Sequence, residues 1–308
     1  MGRNFLQKTL SHIKNTLSLV LIAFPVAGFA GEGAFGWIYT LDLQPKGTLE
    51  VEQRLQRNHG QATGKYDVWL ARSELEYGLT DNLQIAGYVN SYAAKIDQNY
   101  NNTEVCGAAS TCTSGFPVPV NHTRGTPFSQ SGIDGVSFEA IYRLSNPVIS
   151  PIGIGIYIEP TFGKLKNELE ARLLLQSNFW DDRLILASNL VFANEQLKFL
   201  GQGKVPESML DVLFGFSYRF APKWFAGIEG RWHNDFAQFN LHKQTQRQLF
   251  IGPNLHYAQK DWWFSAAMRY QPQGGRCFGD GTGECSDGRV WDSHSRTEMM
   301  FKVGIPVH

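Results

Sequence analysis

The stretch Pro151–Pro160, PIGIGIYIEP, carries isoleucine at 152, 154, 156 and 158, with Gly153, Gly155, Tyr157 and Glu159 between them. A strict period of two describes a strand with one apolar face and one small or polar face. In a water-soluble sandwich the isoleucines form the core. In a membrane barrel the same isoleucines point outward at lipid and Glu159 points into the lumen. The stretch poses the choice, and the rest of the chain decides it.

The same alternation recurs. TLEVEQRLQ sets Leu49, Val51 and Leu55 against Glu50, Glu52 and Arg54, and DVWLARSELEYGL sets Trp69, Ala71, Leu75 and Tyr77 against Arg72, Glu74 and Glu76. ELEARLLLQSNF and LDVLFGFSYRF repeat the pattern further on, and Phe301, Val303, Ile305 and Val307 continue it near the end of the chain. No stretch after the first thirty residues sustains a helical period. From Thr48 onward about twelve such segments can be counted, an even number as expected of a single-chain bacterial barrel.

The connections agree with that count. Every second one is short and built of turn residues: 79–82 (LTDN), 145–150 (SNPVIS), 180–183 (WDDR), 220–224 (FAPKW) and 258–262 (AQKDW). These read as periplasmic turns. The longer connections, 97–131, 200–208, 240–247 and 272–295, read as external loops, while the one near Gly163–Lys166 is short for its side. Trp180, Trp224, Trp262 and Trp263 fall at the short turns, with Trp69 and Trp232 near the outer strand ends. Such placement suits aromatic girdles at two membrane interfaces.

Charge is confined to one face. The faces opposite the apolar rows carry Glu50, Glu52, Arg54, Arg72, Glu74, Glu76, Glu139, Arg143, Glu159, Glu168, Glu170, Arg172, Arg219, Glu229, Arg231 and Arg269, followed by Glu298 and Lys302. A charged residue on the lipid side near mid-bilayer costs about 2–4 kcal/mol, which accounts for the one-sidedness. These residues are expected to face the lumen. The fold class is therefore all-β: a transmembrane antiparallel β-barrel of about twelve strands, with short periplasmic turns and longer external loops.

Targeting fits. Arg3, Lys8 and Lys14 precede an apolar run from Leu17 to Phe24, then Pro25 and small residues to Ala30. Residues 1–30 read as a secretory signal peptide, with the barrel in 31–308. The four cysteines form two sequence-local pairs, Cys106 with Cys112 and Cys277 with Cys285, both in external segments. An oxidising compartment and closeness in sequence favour two local disulfides, and spacing without C-x2-C or nearby histidines argues against zinc. With 28 basic and 28 acidic residues, no charge excess points to nucleic acid. Residues 36–43 also alternate, but a further full strand would make the count odd. Residues 31–47 are expected to be a periplasmic lead-in or a short plug strand.

Three stretches, EGAFGWIYTLDLQPKGTLEVEQ (32–53), YGLTDNLQIAGYVNSY (77–92) and GIDGVSFEAIYRL (132–144), resemble a poorly characterised family of Gram-negative outer-membrane β-barrel proteins. More loosely they resemble the outer-membrane transporters associated with phenol meta-pathway degradation. The resemblance implies a Gram-negative outer-membrane location and solute passage; it brings no catalytic residues.

Three functions follow from these readings. The first is a narrow channel or transporter for small solutes, with outer-membrane lipid and the barrel-assembly machinery as partners. The second is a closed structural or surface-interaction barrel, its interior stiffened by Arg/Glu pairs and its disulfide loops turned to an external partner. The third is a rim enzyme acting on lipid or peptide, for which RWHNDF offers His233, Asn234 and Asp235 but no nucleophile by spacing. Asp280, Glu284 and Asp287 lack the order of a calcium loop. No metal or cofactor is expected, and oligomeric state is not legible.

Overall fold

The computed structural model describes residues 33–97, 116, 126–199, 203–278, 285–291 and 294–307. The expected signal peptide, the Cys106–Cys112 pair and two of the acidic residues of the glycine-rich loop, Asp280 and Glu284, lie outside these residues. Successive strands are β1 (Leu49–His59), β2 (Lys65–Thr80), β3 (Leu83–Asp97), β4 (Phe128–Ser145), β5 (Gly153–Gly163), β6 (Lys166–Phe179), β7 (Leu184–Phe199), β8 (Gly203–Ala221), β9 (Trp224–Ala237), β10 (Gln244–Gln259) and β11 (Trp262–Tyr270). Three two-residue strands follow, β12 (Arg276–Cys277), β13 (Cys285–Ser286) and β14 (Arg289–Val290), before β15 (Thr297–Val307). Each long strand pairs antiparallel with its sequence neighbours, and β15 pairs with both β11 and β1. β1–β11 and β15 therefore close a 12-stranded transmembrane barrel. Closure leaves no long sheet edge unpaired, the condition a strand must meet in lipid.

Side-chain alternation sets the two surfaces. Ile156 and Ile158 are 50% and 46% exposed, whereas Tyr157 and Glu159 between them are buried at 0% and 1%. In a closed barrel the buried face is the inside. Val51, Leu55, Leu75, Leu169, Leu173, Phe214 and Phe216 share the outward apolar surface, and Trp180, Trp232 and Trp262 sit on it as well.

Trp263 departs from the girdle expected for it. It is buried, and its Nε1 donates to Glu50 Oε1 at 2.9 Å. Trp262 and Trp263 are consecutive in a strand, so they must face opposite ways. Two external connections are also shorter than expected. Residues 203–208 belong to β8, where Glu207 pairs with Glu195 and Lys204 with Lys198, and 244–247 belong to β10. Polar sequence there belongs to strands whose ladder continues beyond the apolar band. The β5–β6 connection is the tight one foreseen at 163–166, with β5 ending at Gly163 and β6 beginning at Lys166. Cys277 and Cys285 form a disulfide in the β11–β15 connection.

Candidate functional site

Residues 33–46 lead into β1 without forming a strand. They lie inside the barrel, fastened by side chains from strands all around it. Near the short-turn end the Gln44 N–H donates to Gln84 Oε1 (2.8 Å), and the Leu41 N–H donates to Gln176 Oε1 (2.6 Å). Asn189 grips both sides of Tyr39: its Oδ1 accepts the backbone N–H (2.8 Å) and its Nδ2 donates to the carbonyl (2.9 Å). Farthest in, the Glu229 carboxylate accepts the N–H groups of Gly36 (2.8 Å) and Trp37 (3.0 Å). Buried backbone groups must find partners. Here amide and carboxylate side chains take the place of a neighbouring strand, which is why the alternating sequence 36–43 is not a thirteenth barrel strand.

Apolar packing seats the same segment. Phe35 and Ile38 pack with Ile185, Ala187, Val191 and Leu213, and Tyr39, Leu41 and Leu43 pack with Ile141, Tyr157 and Leu174. All of these wall residues point inward, where a water-filled lumen would leave them wet. Gly153 and Gly155 provide the seat for Leu41: a Cβ on either would come within 2.8 or 2.4 Å of a Leu41 methyl. Burying a large aliphatic or aromatic side chain contributes about 1.5–3 kcal/mol, so several such contacts hold the segment strongly.

The inward charges are arranged in rows. Glu50 lies opposite Glu76 and Glu52 opposite Glu74, while Arg54 is flanked by Arg72 and Lys302. Like charges directly across a ladder are unfavourable, so compensation runs between rows. Arg54 pairs with Glu52 and lies 3.3 Å from Glu74 Oε2, and its Nη1 donates to the Tyr39 hydroxyl at 2.7 Å. That hydroxyl donates to Glu139 (2.9 Å). Arg72 reaches Glu159 (3.4 Å), and Arg172 pairs with Glu170 (2.6 Å) while donating to the Trp37 carbonyl (3.1 Å). Arg143 and Arg219 lie at the short-turn end, donating to the turn carbonyls of Asp81 (2.5 Å) and Asp181 (2.9 Å), and Arg143 Nη1 also donates to the Leu41 carbonyl (3.0 Å).

Beyond the segment, toward the long loops, the lumen holds a cavity of about 330 Å³. Trp37 is its floor. Arg269 lies 3.8 Å from the centre of the Trp37 ring and pairs with Glu298 (2.5 Å). Of the inward charges read from the sequence, Arg72, Glu168, Glu170, Arg172, Arg231, Arg269 and Glu298 line this cavity, whereas Glu50, Glu52, Arg54, Glu74, Glu76, Glu139 and Glu159 do not. Lys166, Glu195, Glu207, Asp211 and His294 join the lining without having been selected. Glu168, Glu195 and Glu207 are successive cross-strand neighbours, forming an acidic arc in which Lys166 contacts Glu168 and Glu195 (2.9 Å). Five cationic residues face seven anionic ones around the wall.

His233, at the outer end of β9, is buried and lines the same cavity. Its Nδ1 lies 2.9 Å from Asp211 Oδ1 and 2.7 Å from Arg231 Nη2, and its Nε2 lies 2.6 Å from Asp235 Oδ2. Both ring nitrogens thus face carboxylates. Asn234 faces the other way and donates to the Leu210 carbonyl.

The fold is shared with solved outer-membrane proteins. The COG4313 outer membrane channel from Pseudomonas putida F1 aligns with a TM-score of 0.52 at 8% identity, covering 86% of this chain and 97% of that one. The NanC porin aligns at 0.48 and 10% identity over 83% of this chain and 98% of that one, and the KdgM porin at 0.44 and 11% over 84% and 99%. The likeness to the COG4313 channel, at 8% identity, shows the fold alone. No curated protein sequence matches the chain. Residues 27–306, nearly its whole length, match a family of unknown function, DUF6662, and the chain belongs to that family.

Proposed function

We propose that the protein is a channel or transporter for small polar solutes in the Gram-negative outer membrane, held shut in this conformation by its own residues 33–46. Residues 1–30 act as the export signal. One observation carries the reading: the lumen is divided into a half filled by a removable segment and a half left as a polar cavity. The segment is held by side chains from separate strands and not by a ladder. It can leave without breaking any pairing that closes the barrel, unlike any of the twelve strands. The cavity volume is at the lower end of the range for small-molecule sites, roughly 300–1,000 Å³. Its mixed and slightly acidic lining suits zwitterionic or cationic solutes.

A rim enzyme is less well supported, because the hydrogen-bonding positions of His233 are taken by Asp211 and Asp235 and not by a hydroxyl. The channel reading is tested by planar-bilayer recording of the intact protein beside a variant lacking residues 34–44. A heat-dependent gel shift serves as the check that both barrels are folded. The intact protein is expected to be silent or to open rarely, and the deletion to give sustained steps. A folded deletion variant with neither conductance steps nor solute flux in liposome swelling would identify a closed scaffold instead.

A further inference from the structure

His233, Asp235 and His294 come from two distant parts of the chain, the outer end of β9 and the approach to β15, and meet where the β11–β15 connection folds back over β10. Each offers one ligand atom, and these atoms all lie within 4.8 Å of one another. Asp235 Oδ2 is the hub: His233 Nε2 is 2.6 Å from it and His294 Nε2 is 3.3 Å from it. The two imidazole rings meet edge to face with centroids 4.3 Å apart. All three residues are buried and all three line the cavity.

The surroundings orient these groups. Asp211 Oδ1 lies 2.9 Å from His233 Nδ1 and can accept a proton there, and in that tautomer Nε2 presents its lone pair toward Asp235 Oδ2. In that tautomer the ring nitrogen and the carboxylate oxygen need a positive species between them, a proton or a metal ion. Gln246 Nε2 donates to the same Asp235 oxygen (2.6 Å). A carboxylate on the far nitrogen of a ligating histidine and an amide on a ligating carboxylate are the usual outer partners of a metal centre. Arg231, the nearest fixed cation, pairs with Asp211 and approaches His233 from its Nδ1 side, away from the hub.

We infer that His233 Nε2, Asp235 Oδ2 and His294 Nε2 bind a divalent transition-metal ion, with its fourth position open to the cavity. Two imidazole nitrogens and one carboxylate oxygen suit zinc, nickel, cobalt or copper and not magnesium or calcium, which take oxygen ligands. Metal–ligand bonds of about 2.0–2.2 Å are reached by small rotations that part His233 Nε2 from Asp235 Oδ2. The open position would take a water molecule or a donor atom of a chelating solute. This inference does not depend on the channel reading, since a silent barrel can bind the ion equally well.

Calorimetric titration of the purified protein, prepared without a histidine tag and stripped with a chelator, tests the site with Zn2+ and with Mg2+. One equivalent of Zn2+ is expected to bind at micromolar or lower concentration without competition from a large excess of Mg2+. Co2+ in its place should give the visible absorption of a four-coordinate ion. His294→Ala lies in a connection outside the barrel ladder, and Asp235→Asn preserves shape; both should weaken Zn2+ at least about tenfold, the loss expected for a lost ligand or outer partner. His242→Ala, on the β9–β10 connection, should leave binding unchanged. If Zn2+ gives no heat, the species between the ring and the carboxylate is a proton and the inference fails. It fails equally if binding survives in both His294→Ala and Asp235→Asn.

Discussion

The two halves of the lumen are built by the same strands with the same alternation, yet they end in opposite conditions. Toward the short turns, β4 to β8 point Ile141, Leu174, Ile185, Ala187 and Leu213 inward, and β5 points Gly153 and Gly155. Toward the long loops, the same group of strands points Lys166, Glu168, Glu195, Glu207 and Asp211 inward. The first half is complementary to a chain, and the second to water and a solute. An interior is therefore not polar merely because it belongs to a barrel. Its composition at each height records what sits there.

The strongest way to break this difference is to remove the seat of Leu41. Gly155→Leu places a side chain where even a Cβ comes within 2.4 Å of the Leu41 Cδ2. Overpacking of this kind costs about 1–3 kcal/mol, which is about 5- to 150-fold in the equilibrium between seated and released segment. Single-channel recording should show open probability rising by that order, with the folded gel mobility unchanged. Adding Leu41→Ala to Gly155→Leu restores space and should return the channel toward silence. A Gly155→Leu barrel that stays as closed as the parent would show that Leu41 does not hold the segment.

A smaller effect is expected at the tip. Glu229→Ala removes the acceptor of both the Gly36 and the Trp37 N–H groups. An unsatisfied buried donor costs about 1–3 kcal/mol, but the cavity next to Trp37 can supply water, so the lower end applies. Openings about tenfold more frequent are expected, with Glu229→Gln, which keeps one acceptor, between that and the parent. Equal openings in all three proteins would place the hold on the segment wholly in its apolar contacts.

Strand number, the short-turn end and the charged face were legible because all three rest on local rules: a period of two and the chemistry of turns. The seat of the N-terminal segment was less so. Residues 36–43 have strand periodicity, and periodicity cannot tell a chain paired by a ladder from one paired by Asn189, Gln176 and Glu229. A signal did exist in the inward apolar residues Ile141, Leu174 and Leu213, which contradict a water-filled lumen, and in the paired glycines of PIGIGIYIEP. Charge pairing runs both along and across strands, since Arg54 meets Glu52 on its own strand and Glu74 on the next. His294 carried no signal at all. It is 59 residues from Asp235, and only the return of the β11–β15 connection over β10 brings the two together.

The smallest effect concerns Asp42, on the seated segment beside Gln176 Nε2 (3.5 Å). Burial pushes its carboxyl above the usual carboxylate range, and Asp182 adds to the rise, against the opposing hydrogen bonds from Thr40 and Gln176. An acid whose proton affinity is raised in one state binds more protons in that state, so falling pH favours it. Seating is therefore strengthened as pH drops through the raised value and weakened above it. Open probability should rise with pH in the parent, by less than Glu229→Ala produces at constant pH. In Asp42→Asn, which keeps the shape and cannot ionise, the rise should vanish. If the slope survives in Asp42→Asn, the pH response belongs to the charged half of the lumen, where Glu168, Glu195 and Glu207 stand side by side, and not to the half that the segment fills.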